Sequence, residues 1–231
     1  MKREKIRSSD FTSDDLPMTR RALFFDVLFH QAGSVASTSA LLALFALPLI
    51  CVYLLFSSFI GISASRGDGN AAIFSLLFYA ALIAIPCFGF LYVGFAGAFE
   101  IGKHLAYGEG VLNRAAFFYG LKRNWKKALG YGLFFGVSFA FALVGSFYLF
   151  LFAPANPILL GFGIGLAILQ CLVVLILGFY FFAEEALYEN KLGASLKNAL
   201  IFALIKGPGN LLFMILFPGI GAALFFINDV T

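Results

Sequence analysis

Charged residues are scarce in this chain, and their scarcity excludes a soluble globular fold. Only 12% of the 231 residues are Asp, Glu, Lys or Arg, while 61% are hydrophobic. A soluble domain carries about 25% charged residues, because polar groups must cover its apolar interior. Phe alone occurs 31 times, and its bulky side chain has no polar atom that lipid would leave unsatisfied. The composition therefore predicts an integral membrane protein.

Cysteine and histidine are also rare, and their positions exclude the usual metal and redox motifs. Cys51, Cys87 and Cys171 each lie inside an apolar run, far from one another in the sequence. No CxxC or Cys/His spacing is present, so we interpret the three as small packing residues. His30 and His104 are the only histidines. We expect no metal and no cofactor.

Enzyme signatures are missing as well. The sequence contains no HExxH, no GxSxG and no Walker A motif. Within the apolar runs the middle sections hold Gln170 but no Asp, Glu, Lys, Arg or His, which argues against a proton-coupled carrier or an ion pump. Glu100 and His104 share a helix face, and a metal or proton-relay role is the alternative to a hydrated helix end. We expect the hydrated end, as for Glu184 and Glu185, and no enzymatic activity.

Five apolar runs are long enough to cross a bilayer, which takes about 20 residues. The second run is long for one span, and it either forms one kinked helix or folds back near Pro86. We favour the single helix. The fold class is thus an all-α membrane bundle of about five spans, in a single domain over residues 22–231 that follows a polar segment, 1–21. The predicted spans are 39–60, 71–99, 128–152, 157–183 and 209–227.

The basic residues predict the orientation. Lys and Arg near span ends prefer the cytoplasmic side. With five spans, fifteen of the sixteen Lys and Arg residues fall on one side, and Arg66 alone falls on the other. We therefore expect a cytoplasmic N-terminus and an extracytoplasmic C-terminus. An additional span made by a fold-back at Pro86 would place the second basic cluster outside.

Two segments are predicted to be amphipathic helices at the cytoplasmic membrane surface. In 111–127 an apolar stripe of Val111, Phe118, Leu121 and Trp125 runs beside a basic cluster. The second is 193–205, which Pro208 would end. The first segment is a candidate contact surface for anionic lipid or for a partner, although the same charges would also serve orientation alone. Its contact residues are Lys122, Arg123, Trp125, Lys126 and Lys127.

Glycines four residues apart allow close approach of helices in lipid. Gly132 and Gly136 lie in the third run, and Gly161 and Gly165 lie in the fourth. These four are candidate helix-packing residues, either within one chain or at a homo-oligomer face. We favour packing within the chain, because any membrane bundle needs such contacts.

Several short motifs lie along the chain from its N-terminal part to the segment before the last predicted span. They are Ile85-Pro86 to Gly89, Gly108-Glu109-Gly110-Val111, Phe117-Phe118, Asn124-Trp125-Lys126-Lys127-Ala128-Leu129, Ser195-Leu196-Lys197-Asn198-Ala199-Leu200 and, less specific, Phe24-Phe25-Asp26-Val27. These motifs resemble the YesL family of small bacterial membrane proteins, whose molecular function is unknown. The resemblance implies a multi-pass protein of the bacterial cytoplasmic membrane, in a family whose genes often lie beside carbohydrate ABC importers. Between Pro48 and Pro86 this chain has an apolar stretch that the short members of the family lack.

Two functions fit these observations. The first is a non-enzymatic accessory or partner subunit linked to carbohydrate uptake, with an ABC importer permease or another membrane subunit as its partner. The alternative is a facilitator or channel for a neutral small solute, which should show a polar stripe along several spans. Lipid is the expected surrounding, and no feature indicates nucleic acid.

Overall fold

The computed structural model of the chain describes residues 31–106, 113–152, 157–188, 190–206 and 209. All regular secondary structure in these residues is helical, so the predicted all-α class is confirmed. The helices are α1 (Ala32–Ser65), α2 (Asn70–Ala106), α3 (Asn113–Phe152), α4 (Pro157–Leu187) and α5 (192–206).

Helices α1 to α4 are each long and apolar enough to cross a membrane, which makes the chain a multi-pass membrane protein. They contain the first four predicted spans. The fifth predicted span, 209–227, lies outside the described residues beyond Gly209. With 31 to 40 residues apiece, the four helices are about 45 to 60 Å long, while the hydrocarbon layer is about 30 Å thick. A substantial part of the longer helices must therefore project beyond the hydrocarbon.

Helix α2 runs without a break through Pro86. The single helix that we favoured for the second run is thus confirmed, and the fold-back is wrong. Proline lacks the amide hydrogen that would bond back one turn, but the loss of one bond does not reverse a helix of 37 residues. Helix α1 accommodates Pro48 in the same way.

A tight turn joins α1 to α2. Gly67 has a positive φ of 74°, a backbone conformation that favours glycine and ends many helices. The Ser63 hydroxyl donates to Asp68 Oδ2 at 2.7 Å, and the Asp68 amide donates to the Ser63 carbonyl. The chain thereby reverses between two spans within four residues.

The predicted amphipathic segment 111–127 differs from expectation. From Asn113 onward it belongs to the same continuous helix as the third span, because nothing between Lys127 and Ala128 breaks a helix. Phe118 and Trp125 of the predicted lipid-facing stripe are exposed, and the face buried in the protein lies beside that stripe, with Phe117 and Ala128 fully buried. Contacts with α2 and α4 select this face.

Helix α5 confirms the helix predicted over 193–205, and it lies alongside α4. Asn198 bonds to Glu184, and the ring of Phe202 stacks on that of Tyr180 at 6.1 Å. The two pairs show that α5 runs antiparallel to the end of α4. Its buried residue Ala199 joins the main core.

Helices α2 and α3 form a close antiparallel pair. A Cβ on Gly132 would meet the Phe88 carbonyl oxygen at 2.8 Å, and one on Gly136 would meet the Ile85 carbonyl oxygen at 2.9 Å. These two glycines therefore lie against α2 within the chain. Gly161 and Gly165 have no described atom within 4 Å of a built Cβ, so they face away from the described part of the bundle.

The core is aromatic, and it lies nearer one end of the bundle. Tyr131 stacks on Phe181 at 4.9 Å, and Tyr92 packs against Phe135 and Phe182 at 5.0 and 5.7 Å. We call the end where α2 finishes, α3 begins and α4 meets α5 the basic end, because the described Lys and Arg residues other than Arg66 lie on these segments. At the opposite end the Asn70 side chain donates to the Leu151 carbonyl at 2.9 Å.

Candidate functional site at the basic end

Three glutamates that we expected at hydrated helix ends are buried. Glu100, Glu184 and Glu185 are 1%, 6% and 1% exposed. In each, one carboxylate oxygen has no hydrogen-bond partner among the described residues. The expectation failed because it treated each helix end alone, whereas neighbouring helices cover these ends. Burial of a carboxylate costs free energy unless a donor or a cation compensates it, so this cluster is the candidate functional site.

Glu100 lies at the contact of α2 with α3. Its carboxylate pairs with Lys103 at 3.3 Å, with His104 at 3.7 Å and with Arg123 at 3.7 Å. Gly120 makes the approach possible, because a Cβ there would meet the Glu100 Cβ at 2.5 Å. The shared helix face of Glu100 and His104, inferred from their spacing, is confirmed by their distance.

Glu185 joins α4 to α3. Lys127 Nζ lies 2.6 Å from Glu185 Oε2 and also donates to the Asn190 carbonyl at 2.6 Å. Asn124, itself buried, donates to the Glu185 carbonyl at 3.3 Å. A single lysine thus holds the end of α4 and the segment that follows it against α3.

Glu184 has a different environment. Its Oε1 accepts from the Asn190 amide at 2.9 Å and from the Asn198 amide at 2.7 Å, while Oε2 is buried without a partner among the described residues. No described Lys, Arg or His lies within salt-bridge distance of it. A cavity of about 590 Å³ opens beside it, between α4 and α5. Buried Ser195 also has a hydroxyl without a partner in the described part of the chain.

The structure divides the predicted contact cluster into two groups. Arg123 and Lys127 turn inward to the buried glutamates. Lys122, Trp125 and Lys126 point outward, and the Lys126 ammonium lies 5.6 Å from the centre of the Trp125 ring. We call Phe118, Lys122, Trp125 and Lys126 the outer face of α3.

Sequence reasoning missed the asparagines of the site. Asn124, Asn190 and Asn198 each donate to an acceptor at the end of α4. The available signal was three amides in segments that we assigned to the same end of the bundle, close to paired glutamates in an otherwise apolar sequence. Among the described residues, no group of three or more His, Cys, Asp or Glu side chains is placed to hold a metal ion.

The fold and the site together define a class, the multi-pass α-helical membrane protein with a buried polar cluster at one end. Comparison with family models, with curated proteins and with solved structures finds no match to this chain.

Proposed function

We propose that this protein is a non-enzymatic accessory subunit of a membrane assembly, and that it binds a partner protein through the outer face of α3. The observation that carries the proposal is the exposure of Phe118 and Trp125, at 56% and 43%, beside two lysines. Exposed apolar residues bordered by polar ones are typical of interaction surfaces, and Trp is enriched among residues that dominate binding.

The outer face stands on a rigid support. Helix α3 is about 60 Å long, so its first turns extend past the span that follows them. On the opposite side of those turns Phe117 is fully buried and Arg123 reaches Glu100. A surface held this way loses little conformational freedom on binding, which favours affinity.

The basic end faces the cytoplasm in this proposal, because Lys and Arg near spans are retained on that side. The resemblance to the YesL family supports carbohydrate uptake as the setting and an ABC importer permease as the partner. Two further observations support a non-enzymatic role: no nucleophile–base pair is recognisable in the sequence, and two of the three buried glutamates, Glu100 and Glu185, make ion pairs with described residues.

The alternative, a facilitator for a neutral solute, requires a polar path. Among the described residues of the spanning region, a cavity of about 510 Å³ between α1, α2 and α3 is lined almost wholly by apolar side chains such as Leu49, Phe56 and Phe139. Closely packed aromatic rings fill the space between α2, α3 and α4. The described residues therefore favour a subunit over a pore.

The test is affinity purification in a mild maltoside detergent, with the co-purifying chains identified. A variant with Lys122→Gln, Trp125→Ala and Lys126→Gln should lose the partner by about tenfold or more, since buried Trp contacts are worth about 2 kcal/mol. Lys191→Gln with Lys197→Gln is the matched control, because it removes two exposed charges from the same end. Retention of the partner by the outer-face variant would refute this docking surface. If the intact chain binds anionic vesicles and no protein co-purifies with it, the outer face binds lipid and not a partner protein.

A further inference from the structure

The groove between α4 and α5 has the features of a ligand site. It is open on one side, has a volume of about 590 Å³, and is lined by Glu184 together with three aromatic residues, Tyr180, Tyr188 and Phe202. A cavity of that size matches the lower range of small-molecule sites, which are mostly apolar with a few polar groups.

Glu184 is the polar group of this groove, and its hydrogen bonding is incomplete. The residue is 94% buried, and both described donors, Asn190 and Asn198, bond to the same oxygen. The other oxygen has no described partner. Glu100 and Glu185 each have a cation beside them, whereas the partners of Glu184 among the described residues are neutral amides.

The missing partner has a definite chemistry. A carboxylate oxygen accepts hydrogen bonds, and bonds from a cationic donor are about twice as strong as neutral ones. Aromatic rings around such a site add cation–π attraction. An anionic ligand would be repelled, and a wholly apolar one would leave the oxygen unsatisfied.

We propose that this groove binds a primary ammonium group carried on an apolar chain, with the ammonium at Glu184 and the chain along the apolar wall. Leu187 and Ile201 supply that wall, and both are more than 40% exposed. The headgroup of an aminophospholipid and a soluble alkylamine both carry such an ammonium. These are the two classes of ligand considered for the groove. The proposal is independent of the accessory role, because it concerns another surface of the basic end.

The test compares three ten-carbon probes of different head group on the full chain in a maltoside detergent. Decylammonium should bind about tenfold more tightly than decanol, the difference expected of a charge-assisted hydrogen bond, and decyl sulfate should not bind at the site. Glu184→Gln keeps the shape of the side chain and removes its charge, so this variant should lose the preference for the ammonium.

Two further variants address the aromatic wall. Phe202→Leu should weaken decylammonium binding about threefold and leave decanol nearly unchanged. Phe150→Leu is the matched control, because Phe150 is an exposed phenylalanine outside the groove. It should change neither the dissociation constant of decylammonium nor that of decanol. This pair tests the site even if Glu184→Gln fails to fold.

Competition for the groove and analysis of co-purifying lipid distinguish a soluble amine from a lipid headgroup as the ligand. Displacement of decylammonium by ethanolamine alone would identify a soluble amine, whereas enrichment of phosphatidylethanolamine in the purified intact chain, lost in Glu184→Gln, would identify the lipid. The proposal is overturned if the intact chain does not distinguish decylammonium from decanol, or if Glu184→Gln retains the distinction.

Discussion

At the scale of single residues, the paired glutamates show how a membrane protein retains charge next to an apolar core. Glu185 is almost fully buried, and Lys127, about one quarter exposed, neutralises it at 2.6 Å. Such a pair adds little net stability compared with an apolar replacement of both partners, but loss of one partner leaves an uncompensated buried charge. The pair therefore matters most when it is broken on one side.

Lys127→Met should lower the free energy of unfolding in detergent by about 2 to 3 kcal/mol, somewhat less than for a fully buried pair because water reaches the lysine. The control is Lys126→Met, one residue away and exposed, which should change stability by less than about 0.5 kcal/mol. Equal effects of the two substitutions would show that the Glu185 pair does not hold α4 to α3.

At the scale of helices, the close contact between α2 and α3 depends on residues without a side chain. Gly132 approaches the backbone of Gly89 and Phe88, and Gly136 approaches that of Ile85. Lipid gives no hydrophobic drive for helix association, so van der Waals contact over a close interface must supply it. The same close packing of α2 against α3 brings Gly120 into contact with Glu100 at the basic end.

Gly132→Ala should destabilise the protein by about 1 to 3 kcal/mol, because the added methyl group meets backbone atoms that cannot move aside. Gly130→Ala serves as the matched control two positions away, since its added Cβ would meet no atom within 4 Å. For Gly130→Ala we expect no loss of stability and a slight gain, because alanine has a better helix propensity than glycine. The midpoint of thermal unfolding in detergent measures both, and a neutral Gly132→Ala would contradict the close contact.

At the scale of the whole molecule, two spanning helices leave most of their surface to the surroundings. The most apolar stretches of α1 and α4 contain no residue buried inside the described bundle. The open faces at Gly161 and Gly165 belong to α4. Such surfaces suit lipid contact, and they also offer room for another subunit.

Orientation is the prediction that belongs to the whole molecule. In a variant with Cys51, Cys87 and Cys171 replaced by Ala, Gly69→Cys should react with an impermeant maleimide on intact cells. Lys197→Cys should react only after permeabilisation, because we expect the Lys and Arg residues to retain the basic end in the cytoplasm. Both sites are exposed. The reverse pattern of labelling would invert the proposed topology.

The sequence predicted the fold class, four spans that the structure describes, the uninterrupted helix through Pro86 and the helix of α5. These features follow from apolar length and local propensity, which a sequence carries directly. It did not indicate which residues of 113–127 pack against the neighbouring helices, because the buried Phe117 and the exposed Phe118 are equally apolar. The sequence also predicted that Glu100, Glu184 and Glu185 lie at hydrated helix ends, which is wrong because the structure buries all three.

The sequence by itself therefore determined that this is a membrane protein. It also determined where the described spans lie along the chain, since the thickness of the bilayer sets the length of each apolar run. Only the tertiary structure decided which charges are buried. Glu100 is covered because Gly120 lets α3 approach it, and Glu184 is covered because α5 turns back along α4. Burial of a side chain depends on residues distant in the sequence, and no local pattern at the glutamate records their presence.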